Sequence, residues 1–241
     1  MSTSFYVAMS AQVSLEKRLE AIANNIANMN TAGYRATGVN FQAVMSDSGD
    51  GESVAYASTG QSYITRTKGP ITPTGNSLDV AVDGDGWLAL KSPDGTAYTR
   101  DGRLHINDRG ELQSVKGYPV LDTGGSPITL DPSAGPVDIG EDGRISQGGK
   151  QVASIGLFLI PADANLRRYD NSAVIPDKPG NAVEDMTTNS IRQGYIEGSN
   201  VNPIMEMSRL IETSRAFDNA SSAMQQSDST SADAIKTLAP S

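Results

Sequence analysis

Apolar residues near the start of the chain recur at the spacing of an α-helix. They are Leu15, Leu19, Ile22, Ile26 and Met29. Their alternating intervals of four and three residues form the a/d pattern of a heptad repeat, which predicts one helix from about Ser4 to Met29. Gly33 follows at a position that suits the end of a helix. We therefore expect residues 1–35 to be dominated by a single helix.

The same spacing returns near the end of the chain. The residues on this second stripe are Met207, Leu210, Ser214, Phe217, Ser221 and Met224. Asn202 and Pro203 precede it. This pair is typical of a helix start, because the Asn side chain caps the helix and proline has no N–H to leave unpaired at the first helical position. The pattern predicts a second long helix over about 203–238, within a terminal segment 200–241.

Between the two helices the hydrophobic period changes to two, which is the period of a β-strand. Leu78, Val80 and Val82 alternate with Asp79, Ala81 and Asp83. Further short strands are predicted at 87–90, 98–100, 104–106, 112–115, 118–121, 128–130, 137–139 and 155–160, with glycine-containing turns between them. We expect an antiparallel β-rich domain over 78–199 and an irregular extended connection over 36–77. The predicted fold class is α+β.

The two predicted helices are poorly suited to stand alone. The first carries Asn24, Asn25, Asn28 and Asn30 near its end, which together disfavour the helix by about 2 kcal/mol. These side chains either fray the helix end or use their amides to bridge to neighbouring helices. The second helix has serine on its apolar stripe and alanine beside it, so it buries little apolar area against one partner.

Helices from other chains can supply the missing contacts. The alternative is a coiled coil formed only between the N- and C-terminal helices of the same chain. On the first hypothesis both helices contribute to an assembly interface. We assign to it Leu15, Leu19, Ile22, Asn24, Asn25, Ile26, Asn28, Met29, Met207, Leu210, Ile211, Ser214, Phe217, Ser221 and Met224.

The net charge of the chain limits the classes of molecule that it is expected to bind. The 241 residues include 28 acidic and 19 basic side chains, for a net charge of -9, so the chain lacks the basic field that non-specific phosphate binding requires. Nucleic acid is therefore not an expected partner. We also expect no membrane insertion and no cleaved secretory signal, because the sequence has no long apolar run and no basic leader before an apolar stretch.

Candidate catalytic and metal-binding residues are few. Cysteine is absent, which excludes thiolate nucleophiles and Cys-ligated zinc. His105 is the only histidine, and its alternating surroundings favour a solvent-facing strand position. The Asp-rich turn that begins at Asp79 does not match an EF-hand loop, because Ala81 and Leu90 stand where ligands are needed. We expect no enzymatic activity, no cofactor and no metal.

Three stretches of the sequence carry a family resemblance. At the N-terminus, Ala23–Asn28 is followed by Thr31, Gly33 and Tyr34. At the C-terminus, Ser199–Met207 continues through Ile211 and Glu212 to Arg215–Phe217, and the middle contributes Asn76–Val82, Gly84–Trp87 and Tyr98–Gly102. Together they resemble the bacterial flagellar axial family of rod and hook proteins, in order and over most of the chain. Within that family the chain is most similar to the proximal rod type.

The resemblance implies a structural protein of the basal body. Family members pack their N- and C-terminal helices into an inner tube around the export channel, with the β domain outside it. Expected partners are copies of the chain, other proximal and distal rod proteins, and the flagellar type III export apparatus, in a rod that spans the periplasm. Alternatives are a distal rod or hook-type relative, an exported β-domain binding module with oligomerising tails, and a carbohydrate-active enzyme.

Overall fold

The computed structural model describes residues 3–41, 43–47, 53–57, 60–184 and 186–238. Helix α1 runs over Thr3–Ala27 and helix α2 over Pro203–Leu238. A few residues lie outside this description, and each predicted segment contains some of them. They are 1–2 in segment 1–35, 42, 48–52 and 58–59 in segment 36–77, 185 in segment 78–199, and 239–241 in segment 200–241. Within the described residues the fold is α+β, with two helices and antiparallel strands between them.

The strands are short, and we number them in chain order. They are β1 Thr37–Asn40, β2 Ala43–Asp47, β3 Ser53–Ala57, β4 Gln61–Ile64, β5 Ile71–Pro73, β6 Val80–Asp83, β7 Trp87–Ser92, β8 Gly95–Thr99, β9 Leu104–Ile106, β10 Leu112–Ser114, β11 Val137–Ile139, β12 Arg144–Gln147, β13 Lys150–Ser154, β14 Leu157–Leu159, β15 Leu166–Arg168, β16 Ala173–Pro176, β17 Asn181–Ala182, β18 Ser190–Gln193 and β19 Tyr195–Glu197.

The chain divides into two compact units. The helical unit comprises the described parts of 1–27, 37–63 and 202–241, and the β unit comprises 28–36 and the described parts of 64–201. In the helical unit, α1 packs against α2 and also contacts β1 and β3. The segment 36–77, which we expected to be irregular, contains β1 to β5. This segment is rich in Ser, Gly and Thr, so its short strands carry too few large apolar residues to show a hydrophobic period.

The β unit is built around a six-stranded antiparallel sheet with strand order β15-β16-β8-β7-β14-β17. Its larger core cluster is aliphatic and includes Val80, Leu88, Leu112 and Ile155. Two predicted strands, 118–121 and 128–130, make isolated bridges instead of continuous ladders. The prolines at 119 and 127 lack the N–H groups that a ladder needs.

The helix ends follow from local hydrogen bonding. The Asn202 side-chain oxygen accepts from the N–H groups of Ile204 and Met205 at 3.1 and 3.2 Å, which confirms the predicted cap of α2. Helix α1 ends two residues before the predicted Met29. There the chain turns, and the Thr31 N–H donates to the Asn28 carbonyl at 3.1 Å.

Candidate functional site

The predicted assembly residues differ in exposure within the single chain. Ile22 and Asn25 are buried. Those that are half-buried are Leu15, Leu19, Ile26, Asn28, Met29, Leu210, Phe217, Ser221 and Met224. Those that are exposed are Asn24, Met207, Ile211 and Ser214. The set therefore includes residues that pack within the chain and residues that are left facing solvent.

The face of α2 that packs on α1 shares Leu210, Phe217, Ser221 and Met224 with the predicted stripe and differs from it at two positions. Its least exposed residues are Glu206, Leu210, Thr213, Phe217, Ala220, Ser221 and Met224. Glu206 and Thr213 are buried, whereas Met207 and Ser214, which we predicted on the stripe, lie on the exposed side. The spacing of four and three residues is the one expected for a helix pair, but polar residues occupy two of its positions.

Glu206 is buried because polar partners surround it. Its carboxylate accepts from the Asn25 side-chain amide at 3.3 Å and from Arg209 at 2.6 Å. Asn25 also donates to the Thr37 carbonyl at 3.0 Å and accepts from the Thr37 N–H at 2.8 Å. Asn25 therefore links α1 to α2 and to β1, so one of the four amides bridges to a neighbouring helix as we hypothesised.

The first turns of α2 expose a row of large apolar side chains, which we call the apolar row. It consists of Ile204, Met205, Met207 and Ile211. Ile204 is 77% exposed and Ile211 is 54% exposed. Scattered exposed apolar residues are normal, but Ile204, Met207 and Ile211 recur at spacings of three and four residues and so share one side of the helix, and apolar patches of this kind mark interaction sites.

The β unit contains a buried cluster of two arginines and one glutamate. Glu197 lies 2.6 Å from the guanidinium of Arg35 and 2.6 Å from that of Arg100. Its carboxylate also accepts from the Gly69 N–H at 2.9 Å. Arg100 donates further to the carbonyls of Val82, Gly84 and Gly86. All three charged side chains are almost completely buried.

The same cluster joins two distant stretches of chain inside the β unit. The Gly33 N–H donates to the Glu197 carbonyl at 2.8 Å, and the Asn200 side chain accepts from the Ala36 N–H at 2.7 Å. Gly33 has φ +67°, and a Cβ there would lie 2.2 Å from the Asp101 nitrogen. Gly33 is thus required by the close approach of two backbones. The helix-ending role that we predicted for it is wrong, because α1 already ends at Ala27.

The candidate catalytic and metal-binding residues lie at a solvent-facing strand position or in ordinary hydrogen bonds and ion pairs. His105 is exposed on β9, as predicted. Asp79 accepts from Thr74 and Asn76, and Asp83 pairs with Arg192. In the part of the chain that the structure describes, no three His, Cys, Asp or Glu side chains come close enough to hold a metal ion. No helix within that part combines the length and apolar character needed to cross a membrane.

Three family models match successive parts of the sequence. "Flagella basal body rod protein" matches residues 5–35, "Flagellar hook protein FlgE/F/G D1 domain" matches 81–147, and "Flagellar basal body rod FlgEFG protein C-terminal" matches 192–237. The chain is 48% identical to flagellar basal-body rod protein FlgF of Mesorhizobium japonicum, over 99% of this chain and 98% of the relative. The chain belongs to the flagellar basal-body rod protein family.

Other relatives support the same family assignment. FlgF of Rhizobium meliloti is 45% identical over the same shares of both chains, and FlgG of Bacillus subtilis is 31% identical over 95% of this chain and 96% of its own. The rod protein is therefore a structural component of the flagellar basal body that serves motility. It is not an enzyme, as we expected from the sequence.

Proposed function

We propose that the helical unit of this rod protein packs sideways against helices of neighbouring subunits and so forms the inner layer of a hollow drive shaft. The neighbours are copies of the chain and other rod proteins. The apolar row at the start of α2 carries this proposal, because α1 leaves Ile204, Met205, Met207 and Ile211 uncovered. Covering such surface gains about 25 cal/mol per Å² of apolar area.

The remaining features of the proposal come from the family resemblance. The β unit forms the outer layer, the chain reaches a periplasm-spanning rod through the type III export apparatus, and the helix pair extends as a coiled coil. The relatives that are 48%, 45% and 37% identical to the chain are all named FlgF, whereas relatives named FlgF and FlgG both occur at 31%. The first three support the proximal rod type over the distal type.

The proposal is tested at Ile211, which the helix pair leaves 54% exposed. Ile211→Asp would bury an unpaired carboxylate between subunits, so we expect loss of rod assembly and of swimming while the isolated chain stays folded. Ile211→Leu keeps an apolar side chain and is the matched control. Motility in soft agar, electron microscopy of basal bodies and circular dichroism of the purified chain provide the three measurements. Normal swimming by Ile211→Asp cells would contradict the proposal.

A further inference from the structure

The β unit has a pocket of about 430 Å³ with an unusual excess of positive charge. Four cationic side chains line it, namely Arg35, Arg66, Lys68 and Arg100, together with one acidic side chain, Asp85. The rest of its wall is apolar and includes Trp87 and Leu159. The whole chain has a net charge of -9, so this pocket is locally opposite in sign to the molecule.

The charges at the back of the pocket are incompletely balanced. Arg35 and Arg100 share the single carboxylate of Glu197. The Nε atom of Arg35 is buried without a hydrogen-bond partner. Burial lowers the pKa of Arg35 to about 10, because desolvation outweighs the attraction of Glu197. Arg35 still carries its charge at neutral pH, and one carboxylate cannot neutralise two guanidinium groups.

The charges nearer the surface are also available to a ligand. Arg66 donates to the carbonyls of Ile160, Pro161 and Ala164, which use three of its five N–H groups but leave its charge in place. The Lys68 amine lies 3.2 Å from the Asp85 carboxylate, but their side chains are 45% and 83% exposed. An exposed pair of this kind contributes little and exchanges partners readily.

We propose that this pocket binds an acidic side chain of a second copy of the chain. A carboxylate suits the guanidinium and ammonium groups, and the wall formed by Trp87 and by Leu159, which is 39% exposed, suits the methylene groups that precede it. Neighbouring copies supply the ligand, because each chain has 28 acidic against 19 basic residues. This inference rests on the proposed packing of subunits side by side, and it names a second contact, in the β unit.

The chain's composition allows a clean experiment, because it contains no cysteine and a single tryptophan, Trp87. The full chain carrying Ala162→Cys at the exposed pocket wall is labelled with benzophenone, irradiated at high protein concentration and analysed by mass spectrometry. Lys68→Glu reverses a charge at the pocket mouth, and Lys150→Glu makes the same change at an exposed position on β13.

We expect cross-linked dimers in which the captured peptide contains Asp or Glu. Lys68→Glu should lower their yield about fivefold or more, and Lys150→Glu should leave it unchanged. The yield should also fall with added salt, since the Debye length shrinks from about 10 Å at 0.1 M to about 3 Å at 1 M.

Three results would overturn the inference: absence of dimers, a yield indifferent to Lys68→Glu, or capture of a peptide without an acidic residue. A fourth is a response of Trp87 fluorescence to inorganic phosphate but not to glutarate, which would assign the pocket to a phosphate group. These outcomes are separate from the test at Ile211. If Lys68→Glu has no effect on the yield while Ile211→Asp still abolishes rods, the pocket inference fails and the proposed function stands.

Discussion

At Glu197 one carboxylate lies between two guanidinium groups that water barely reaches. Taking an ion pair out of water costs several kcal/mol per ion, and the cost is offset only when geometry and further hydrogen bonds are good. Glu197 meets this condition, with both arginines at 2.6 Å and the Gly69 N–H at 2.9 Å. Its loss would therefore leave two buried cations without a counter-charge.

We predict that Glu197→Gln lowers the free energy of unfolding of the β unit by about 3–5 kcal/mol, because breaking a buried pair strands the remaining charges. Urea denaturation followed by the fluorescence of Trp87, which is buried in the same unit, measures the change. Asp83→Asn is the control. It removes the half-exposed pair with Arg192 and should cost less than about 1 kcal/mol. Similar losses of unfolding free energy in both variants would show that burial of the Glu197 cluster does not set its contribution to the stability of the β unit.

This cluster could not be predicted from the sequence. Arg100 and Glu197 are 97 residues apart, and nothing in the local pattern marks either as buried, since charged residues are usually exposed. Arg35 and Arg100 fall in or beside stretches that carry the family resemblance, yet the resemblance does not indicate their partner. The exposure of a single residue can be predicted where it depends only on its neighbours in sequence. His105 is exposed on its strand, as predicted, because apolar residues alternate with polar ones on either side of it.

Helix α2 shows which properties of an element the sequence determines. Its start at Pro203 was predictable, because a cap and a first-turn proline are read from adjacent residues. Its buried face was predictable at Leu210, Phe217, Ser221 and Met224 but not at its first position, because hydrophobicity favours Met207 over Glu206. The carboxylate is nevertheless the buried one, held by Asn25 and Arg209. The strands in 36–77 escaped prediction for another reason, since that segment is rich in Ser, Gly and Thr and shows little alternation of large apolar residues.

We predict that Asn202→Ala destabilises the helical unit by about 1 kcal/mol. The Asn202 side-chain oxygen accepts from two N–H groups that have no intrahelical partner, and alanine cannot replace it. Thermal unfolding followed by circular dichroism at a helical wavelength measures the effect. Asn219→Ala, at an exposed position inside the same helix, should instead be neutral or stabilise by up to about 0.7 kcal/mol. Equal destabilisation by both variants would mean that the cap is not the cause.

On the proposed function, the whole molecule uses different surfaces for folding and for assembly. Each unit has its own buried polar cluster, around Glu206 in the helical unit and around Glu197 in the β unit. The apolar row and the small residues on the exposed side of α2 contribute little to either cluster. Substitutions on that side should therefore alter assembly without altering the stability of the single chain, which is the behaviour expected of a subunit built to pack against neighbours.

Ser214 separates these two effects, because it is exposed in the chain and lies in the predicted assembly interface. We predict that Ser214→Leu changes the unfolding free energy of the purified chain by less than about 0.5 kcal/mol, as expected for an exposed site. In closely packed neighbouring helices the larger side chain has no room, and overpacking should cost about 1–3 kcal/mol at each contact.

Ser214→Ala, which stays small, should assemble normally. Basal bodies counted by electron microscopy, with export checked by immunoblotting, give the measurement. Normal rods from Ser214→Leu would show that this side of α2 does not face a neighbouring helix.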